Sequence, residues 1–193
     1  MGTIAGNICQ DVWCWYFRAS NNLFNCIRKG GAICCSQAGD NRYYNSIFGG
    51  PRGCYANHAS DTAVALVALN ASVVTTQRTI PIEQLFQELA PGHNLKSNEI
   101  VKEIQVPTPA SGSKSAFMKV AMRDSIDFAL ASAGVWYTPS TGSVTDARIA
   151  LGGVYLTPRR ATAAETYLKG KSISASTAEG TGAAAVQDAT PMT

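Results

Sequence analysis

The sequence predicts an α+β protein. From residue 115 onward, three segments of strand character precede two of helical character, the order expected where helices gather against an antiparallel sheet. Before that point a helix, a β-branched run and an alternating segment follow one another between residues 60 and 106. A third observation sets the beginning apart. All 6 cysteines of the 193-residue chain lie within its first 54 positions.

Residues 1–58 are frequent in Gly, Asn and Arg and keep no hydrophobic period, so they read as turns and loops. A helix starts after Ser60, an N-cap residue, with Asp61 and Thr62 in its first turn. Its apolar face is Ala63, Val64, Leu66, Val67 and Leu69. Ala71 to Thr76 is dominated by β-branched residues and predicts a strand. Pro81 then opens a short helix through Leu85, Phe86 and Leu89, since proline suits the first helical turn. Ile100 to Val106 alternates apolar and polar residues in part and stops at Pro107, the pattern of a half-buried strand. The Pro-, Ser- and Gly-rich stretch from Pro107 to Lys114 is the best domain boundary, dividing 1–106 from 112–193. Beyond it, strands are expected at Ser115–Met122, Phe128–Thr138 and Asp146–Leu156, with Gly142 in the turn between the last two. Helices follow at Ala161–Leu168 and through Ser176–Val186.

The net charge is +3 and the 16 basic residues are scattered, which excludes a nucleic-acid footprint or a polybasic membrane patch. No apolar run approaches the roughly 18 residues needed to span a bilayer. The N-terminus lacks the charged start and apolar core of a signal peptide, and Gly6 stands where N-myristoylation takes Ser or Thr. His58 and His93 are the only histidines and no serine sits in a nucleophile elbow, so hydrolytic and general-base readings fit poorly and no catalytic side chain is assigned.

The cysteines carry the chemistry. Six of them without a secretory signal argue against a disulfide scaffold. No pair has the C-x-x-C spacing of zinc ribbons, and His58 is the only histidine nearby, so a Cys/His zinc finger fits poorly. Thiolates from well-separated loop positions, as at Cys14, Cys26, Cys34 and Cys54, suit an iron–sulfur cluster. Arg18, Arg28, Lys29 and Arg42 are at hand to offset its charge. On spacing alone iron–sulfur, zinc and purely structural thiols all stay open. Elsewhere the small residues of Thr3-Ile4-Ala5-Gly6-Asn7 let the backbone approach a ligand, and N–H groups there can cradle phosphate, although a plain turn has the same look. Ser60-Asp61 reads first as a cap with its first-turn charge. Arg123 and Asp127, beside Lys119, read first as a surface ion pair.

Together these segments resemble the flavin-binding (medium) subunit of the molybdenum hydroxylases, the family of carbon monoxide dehydrogenase, xanthine dehydrogenase and bacterial aldehyde oxidoreductases. The resemblance rests on four segments in family order: Thr3-Ile4-Ala5-Gly6-Asn7, Ser60-Asp61-Thr62-Ala63 leading into Ala65-Leu66, Asp127-Phe128-Ala129-Leu130-Ala131-Ser132, and Asp146-Ala147-Arg148-Ile149-Ala150-Leu151-Gly152-Gly153-Val154. Arg159-Arg160-Ala161 and Ala164-Glu165 before Leu168-Lys169-Gly170-Lys171 extend it. The cysteine stretch is similar to an insertion in bacterial aldehyde oxidoreductase flavin subunits, and more distantly in 4-hydroxybenzoyl-CoA reductase, that holds an extra [4Fe-4S] cluster.

The resemblance implies the second part of a PCMH-type FAD-binding domain, with a cluster-binding insertion over about 8–58, followed by a small C-terminal α+β domain. It implies FAD contacts from Thr3, Ile4, Ala5, Gly6, Asn7, Ser60, Asp61 and Lys119, with Ile100 or Val101 against the flavin ring. It implies cluster ligation by Cys14, Cys26, Cys34 and Cys54, with Cys35 an ambiguous neighbour of Cys34 and Cys9 a bystander. Ala5 replaces the family's commoner glycine, and Ala59 stands where proline often precedes Ser-Asp. The family's N-terminal subdomain, with its own Gly-rich loop, is missing, and the sequence stops short after Met192-Thr193, which implies a fragment. The implied role is electron transfer between a [2Fe-2S] small subunit, itself fed by a molybdenum-cofactor large subunit, and an external acceptor, in the cytoplasm or, by co-export with a partner, the periplasm of a bacterium. The rival reading is a zinc- or disulfide-stabilised binding module without enzymatic activity.

Overall fold

The computed structural model describes residues 2–39, 42–124 and 126–192. Met1, Thr193 and the side chain of Arg42, all used above, lie outside the described residues. The architecture is α+β: two antiparallel sheets with a helix held between them.

The cysteine-rich beginning is more structured than its composition predicts. Helix α1 spans Ile4–Ile8 and α2 spans Trp15–Arg18, and single 3-10 turns follow at Ser20–Asn22, Ile27–Lys29, Cys35–Gln37, Arg42–Tyr44 and Pro51–Gly53. The Thr3–Asn7 segment is thus the opening of a helix rather than a turn. The Thr3 hydroxyl caps it by accepting from the Gly6 N–H at 3.0 Å. Helix α3, Asp61–Ala68, starts where its N-cap predicts, with the Ser60 hydroxyl accepting from the Ala63 N–H at 3.0 Å. It stops at Asn70, which takes a left-handed φ of 56°. The N–H groups of Asn70 and Ala71 then donate to the carbonyls of Val67 (3.1 Å) and Leu66 (3.0 Å), a Schellman closure.

The first sheet has the order β2-β1-β3, from strands β1 (Ser72–Thr75), β2 (Thr79–Pro81) and β3 (Val101–Gln105). β2 is not predicted by the sequence: it has three residues, and pairing with β1 makes it a strand. Pro81 therefore ends a strand and caps helix α4 instead of entering it. That helix covers only Ile82–Leu85, and Phe86 is extended and bridges His93. Leu89, expected on its face, is exposed. The second sheet runs β4-β5-β6-β7: β4 (Lys114–Ala121), β5 (Ala129–Ser140), β6 (Ser143–Gly152) and β7 (Arg159–Arg160), the last again unforeseen at two residues. Thr141 (φ 47°) and Gly142 (φ 86°) form the tight turn between β5 and β6, where two positive φ values match the strand twist. Helices α5 (Thr162–Leu168) and α6 (Ala175–Ala185) complete the chain. Among the described residues no helix is long and apolar enough to cross a membrane.

Three buried clusters hold these elements. The first joins Ile8 of α1, the α3 face, Val73, Ile80, Ile82 and Leu85 to Ala150 of β6, so α3 is packed from both sheets. Its approach to β6 depends on Gly152, where a Cβ would come within 2.3 Å of the Val64 side chain. The second cluster consists of Val12, Cys14, Phe17, Cys26, Cys54, Ala56 and Leu156. The third lies between β6 and α5.

Candidate cofactor site

A cleft of about 700 Å³ opens where α1, the start of α3, β4 and the loop before β5 meet. Asn7, Gln10, Trp13, Asp61, Lys119 and Asp127 are among its lining residues. Three predicted FAD contacts, Asn7, Asp61 and Lys119, are thereby brought to one place from segments far apart in sequence. Lys119 donates to the Asp61 carboxylate at 2.7 Å and to the carbonyl of Asp127. Arg123 pairs with Asp127 at 3.2 Å, and the guanidinium holds that carboxyl below its ordinary range. The expected ion pair is therefore present, but it stands at the cleft wall. Ser60, buried, donates to Asn7 Oδ1 at 2.6 Å while capping α3, which leaves the Asn7 NH₂ group for a ligand. Thr3 and Gly6 set the entry of α1 by their cap, Ile4 is exposed and Ala5 is half-buried in the same helix. Val101 is not brought to the cleft. It sits in β3, packed on the first buried cluster.

His58 organises this corner, a role its sequence context did not signal. Its backbone N–H donates to the Tyr155 carbonyl at 2.7 Å, its Nδ1 accepts from the Ser60 N–H at 3.2 Å, and its ring reaches the Ile8 backbone. Burial, opposed by that Ile8 contact, pushes its pKa down to about 4, so the imidazole is neutral and serves as a brace between α1 and the α3 cap. Trp13 and Phe128 also escaped sequence reasoning. Their rings stack at 3.9 Å, Tyr44 meets the indole edge-on at 5.8 Å, and the Arg18 guanidinium lies 4.9 Å from it. Only the aromatic run around Cys14 could have flagged Trp13.

Beneath the cleft lie the thiols. All six cysteines are free. Cys14, Cys26 and Cys54 are buried in the second cluster, and Cys34 is half-buried beside Ser36, 3.1 Å from its hydroxyl. Burial raises the Cys14 thiol pKa; the Phe17 and Tyr16 N–H groups lower it, and Cys26 and Cys34 add to the rise. Burial likewise raises Cys54, against an Ala56 N–H and the Arg28 guanidinium, with Cys34 again adding. The four predicted ligands thus feel one another. Cys9 packs instead on the first buried cluster, and Cys35 donates to the Phe24 carbonyl at 3.1 Å. Close backbone approach shapes the loops: a Cβ on Gly31 would stand 1.6 Å from the Asn25 carbonyl oxygen, and one on Gly50 would stand 2.0 Å from that of Cys54. Among the described residues no three His, Cys, Asp or Glu side chains are placed to share a single metal ion.

Comparison with known proteins shows the family. Residues 1–109 match the FAD binding domain in molybdopterin dehydrogenase, and residues 116–193 match the CO dehydrogenase flavoprotein C-terminal domain. The aldehyde oxidoreductase FAD-binding subunit PaoB of Escherichia coli (strain K12) is 34% identical over 177 residues, covering 86% of this chain and 53% of that protein. Caffeine dehydrogenase subunit beta of Pseudomonas sp. (strain CBB1) is 34% identical over 125 residues, 62% of this chain and 42% of its own length. The chain therefore spans about half the length of these curated relatives. Among solved structures, carbon monoxide dehydrogenase from Hydrogenophaga pseudoflava aligns with a TM-score of 0.60 at 26% identity, over 83% of this chain and 64% of that one. With one matched domain covering more than half of its residues, the chain belongs to the FAD-binding flavoprotein family of the molybdenum hydroxylases.

Proposed function

We propose that this chain is part of an electron-transfer flavoprotein subunit of a molybdenum hydroxylase, binding FAD in the cleft and a [4Fe-4S] cluster on Cys14, Cys26, Cys34 and Cys54. The observation that carries the proposal is the wall shared by the two features: Trp13 lines the cleft, and the next residue, Cys14, enters the thiol core. When bound, the flavin interconverts two-electron and one-electron transfers, and the cluster relays single electrons.

The residues present fit both groups. In the cleft, the Asn7 amide and Lys119 offer donors to anionic or carbonyl oxygens, Asp61 accepts, and the aromatic pair Trp13–Phe128 supplies an apolar face. In the core, the N–H groups of Tyr16 and Phe17 are directed at the Cys14 sulfur and that of Ala56 at Cys54. N–H···S bonds and the Arg28 charge favour thiolates in an otherwise dehydrating pocket. A cubane takes each thiolate on a different iron, so its ligands stand further apart than those of one ion. In the proposed assembly electrons arrive from the [2Fe-2S] small subunit, fed by a molybdenum-cofactor large subunit oxidising an aldehyde or N-heterocycle, and leave to an external acceptor. The proposed compartment is the bacterial cytoplasm, or the periplasm by co-export. Residues 1–106 and 112–193 act as its two units.

Anaerobic purification with iron and acid-labile sulfide assays tests the cluster. About four irons and matching sulfide per chain are expected, lost in Cys26→Ser and kept in Cys9→Ser, whereas stoichiometric zinc without sulfide overturns the reading. For the flavin, the full-length subunit should show flavin absorption that weakens in Asp61→Asn and Asn7→Ala. Full FAD occupancy in both variants removes these contacts from the proposal.

A further inference from the structure

One residue belongs to both halves of the site. The chain through Trp13 and Cys14 is extended. Trp13 exchanges backbone hydrogen bonds with Asn57, at 2.7 and 3.4 Å, and Cys14 has φ −160° and ψ 126°. Successive side chains of an extended chain point to opposite sides. The indole accordingly stands in the cleft wall while the Cys14 thiol is buried among Phe17, Cys26 and Cys54. One peptide group links them, and the paired hydrogen bonds of Trp13 to Asn57 hold that backbone, so a displacement of Trp13 is felt at Cys14.

The ring is closely held yet chemically incomplete. Phe128 covers one face, Tyr44 meets it edge-on and Arg18 lies over it, but the indole Nε1–H is buried with no hydrogen-bond partner among the described residues. A buried donor without an acceptor is disfavoured, and it is uncommon enough in a folded protein to call for a reason. The N–H is shut off from the cleft as the ring stands, so a ligand there meets the ring itself, and only a shift of the ring would bring the N–H to an acceptor.

We infer that Trp13 is a contact for the flavin and couples its site to the thiols, so that loading the thiols with iron tightens flavin binding and bound flavin in turn retains iron. Reciprocity follows from linkage, since two sites that share a free-energy coupling must influence each other equally. The inference rests on the flavin-and-cluster reading and adds to it a residue that lies in the cysteine-rich insertion.

The test uses the full-length subunit, either loaded anaerobically with iron and sulfide or stripped by a chelator, with FAD titrated and flavin fluorescence followed. The loaded protein should bind FAD about tenfold more tightly than the stripped one. In Trp13→Ala, at unchanged iron content, that ratio should collapse toward one. Trp13→Phe, which keeps the stack on Phe128 but lacks the N–H, should weaken FAD binding in both states and preserve most of the ratio, and it decides the matter if the alanine variant fails to fold. Equal affinity in loaded and stripped wild type, or a ratio that survives in Trp13→Ala, overturns the inference and leaves the flavin-and-cluster reading standing. Failure of the loaded chain to bind FAD, or to retain iron at all, overturns that reading itself.

Discussion

His58 and Glu99 show how single side chains hold the first unit and how each makes it sensitive to acid. His58 is kept neutral by burial, with a pKa of about 4 against an ordinary 6.5. The unfolded chain takes up its proton between those values and the native state does not, so stability falls as pH drops from about 6.5 to about 4. Glu99 accepts from Arg78, from the Lys96 N–H and from the Thr75 hydroxyl, and these partners, Arg78 first, hold its pKa at about 2. A depressed carboxyl contributes stability above its unfolded value near 4.5 and loses it as pH falls toward 2. Thermal melts across pH 7 to 2 should therefore show two successive declines. His58→Gln should flatten the upper one and Glu99→Gln the lower one, and a melt that ignores pH above 4.5 would refute the His58 account. Neither role was legible in the sequence. Besides the neighbouring Ser60, the partners of His58 lie at Ile8 and Tyr155, and no local pattern places these together. Ser60, by contrast, was legible through its cap.

At the level of elements, local chemistry was read correctly where it is sufficient by itself. Ser60 opens α3, Gly142 turns β5 into β6, and the alternation before Pro107 makes β3. It failed where pairing creates the element. β2 and β7 have three and two residues, too few for a period, and exist because β1 and β6 offer them a ladder. Helix α6 is the opposite case, correctly expected but weakly supported, since no residue in it is buried. Its two internal glycines make a contrasting pair. A Cβ on Gly182 meets nothing within 4 Å, so Gly182→Ala should stabilise the protein by about 0.5–1 kcal/mol. A Cβ on Gly180 would lie 2.1 Å from the Tyr167 hydroxyl, so Gly180→Ala should gain nothing unless that ring moves. Urea denaturation of both variants checks the pair, and an equal gain in both would contradict the packing of α6 on Tyr167.

Across the whole molecule, a chain of charges ties the first sheet's helix to the second sheet. Glu83 of α4 receives Arg148 of β6 and, at 2.7 Å, Arg160 of β7. Arg160 turns its remaining donors to Glu165, at 2.6 Å twice, and Glu165 also accepts the Ile149 N–H at 2.7 Å. The two carboxylates differ in setting, with side-chain exposures of 41% for Glu83 and 9% for Glu165. Glu83→Ala should thus cost about 1 kcal/mol, an effect that high salt narrows. Glu165→Ala leaves a buried N–H unpaired and two Arg160 donors without their acceptor, Glu83 alone remaining, and should cost about 3 kcal/mol, with little dependence on salt. Chemical denaturation at low and high salt separates them, and a larger effect at Glu83 would disprove this ordering. The Arg159-Arg160 and Glu165 motif, legible only as family likeness, is thereby accounted for as a fastening between β7, α5 and α4.

The thiol core is closed by residues made long after it. The Ile47 N–H donates to the Val154 carbonyl at 3.1 Å, His58 reaches back from Tyr155, Leu156 completes the packing around the cysteines, and the Thr190 N–H donates to the Ile47 carbonyl at 2.7 Å. During synthesis the cysteine loops precede Val154, Tyr155 and Leu156, which close over them, by about a hundred residues. Such late, non-local closure is slow to form. The packing around the thiols is therefore complete only once the segment from Val154 to Leu156 has been made.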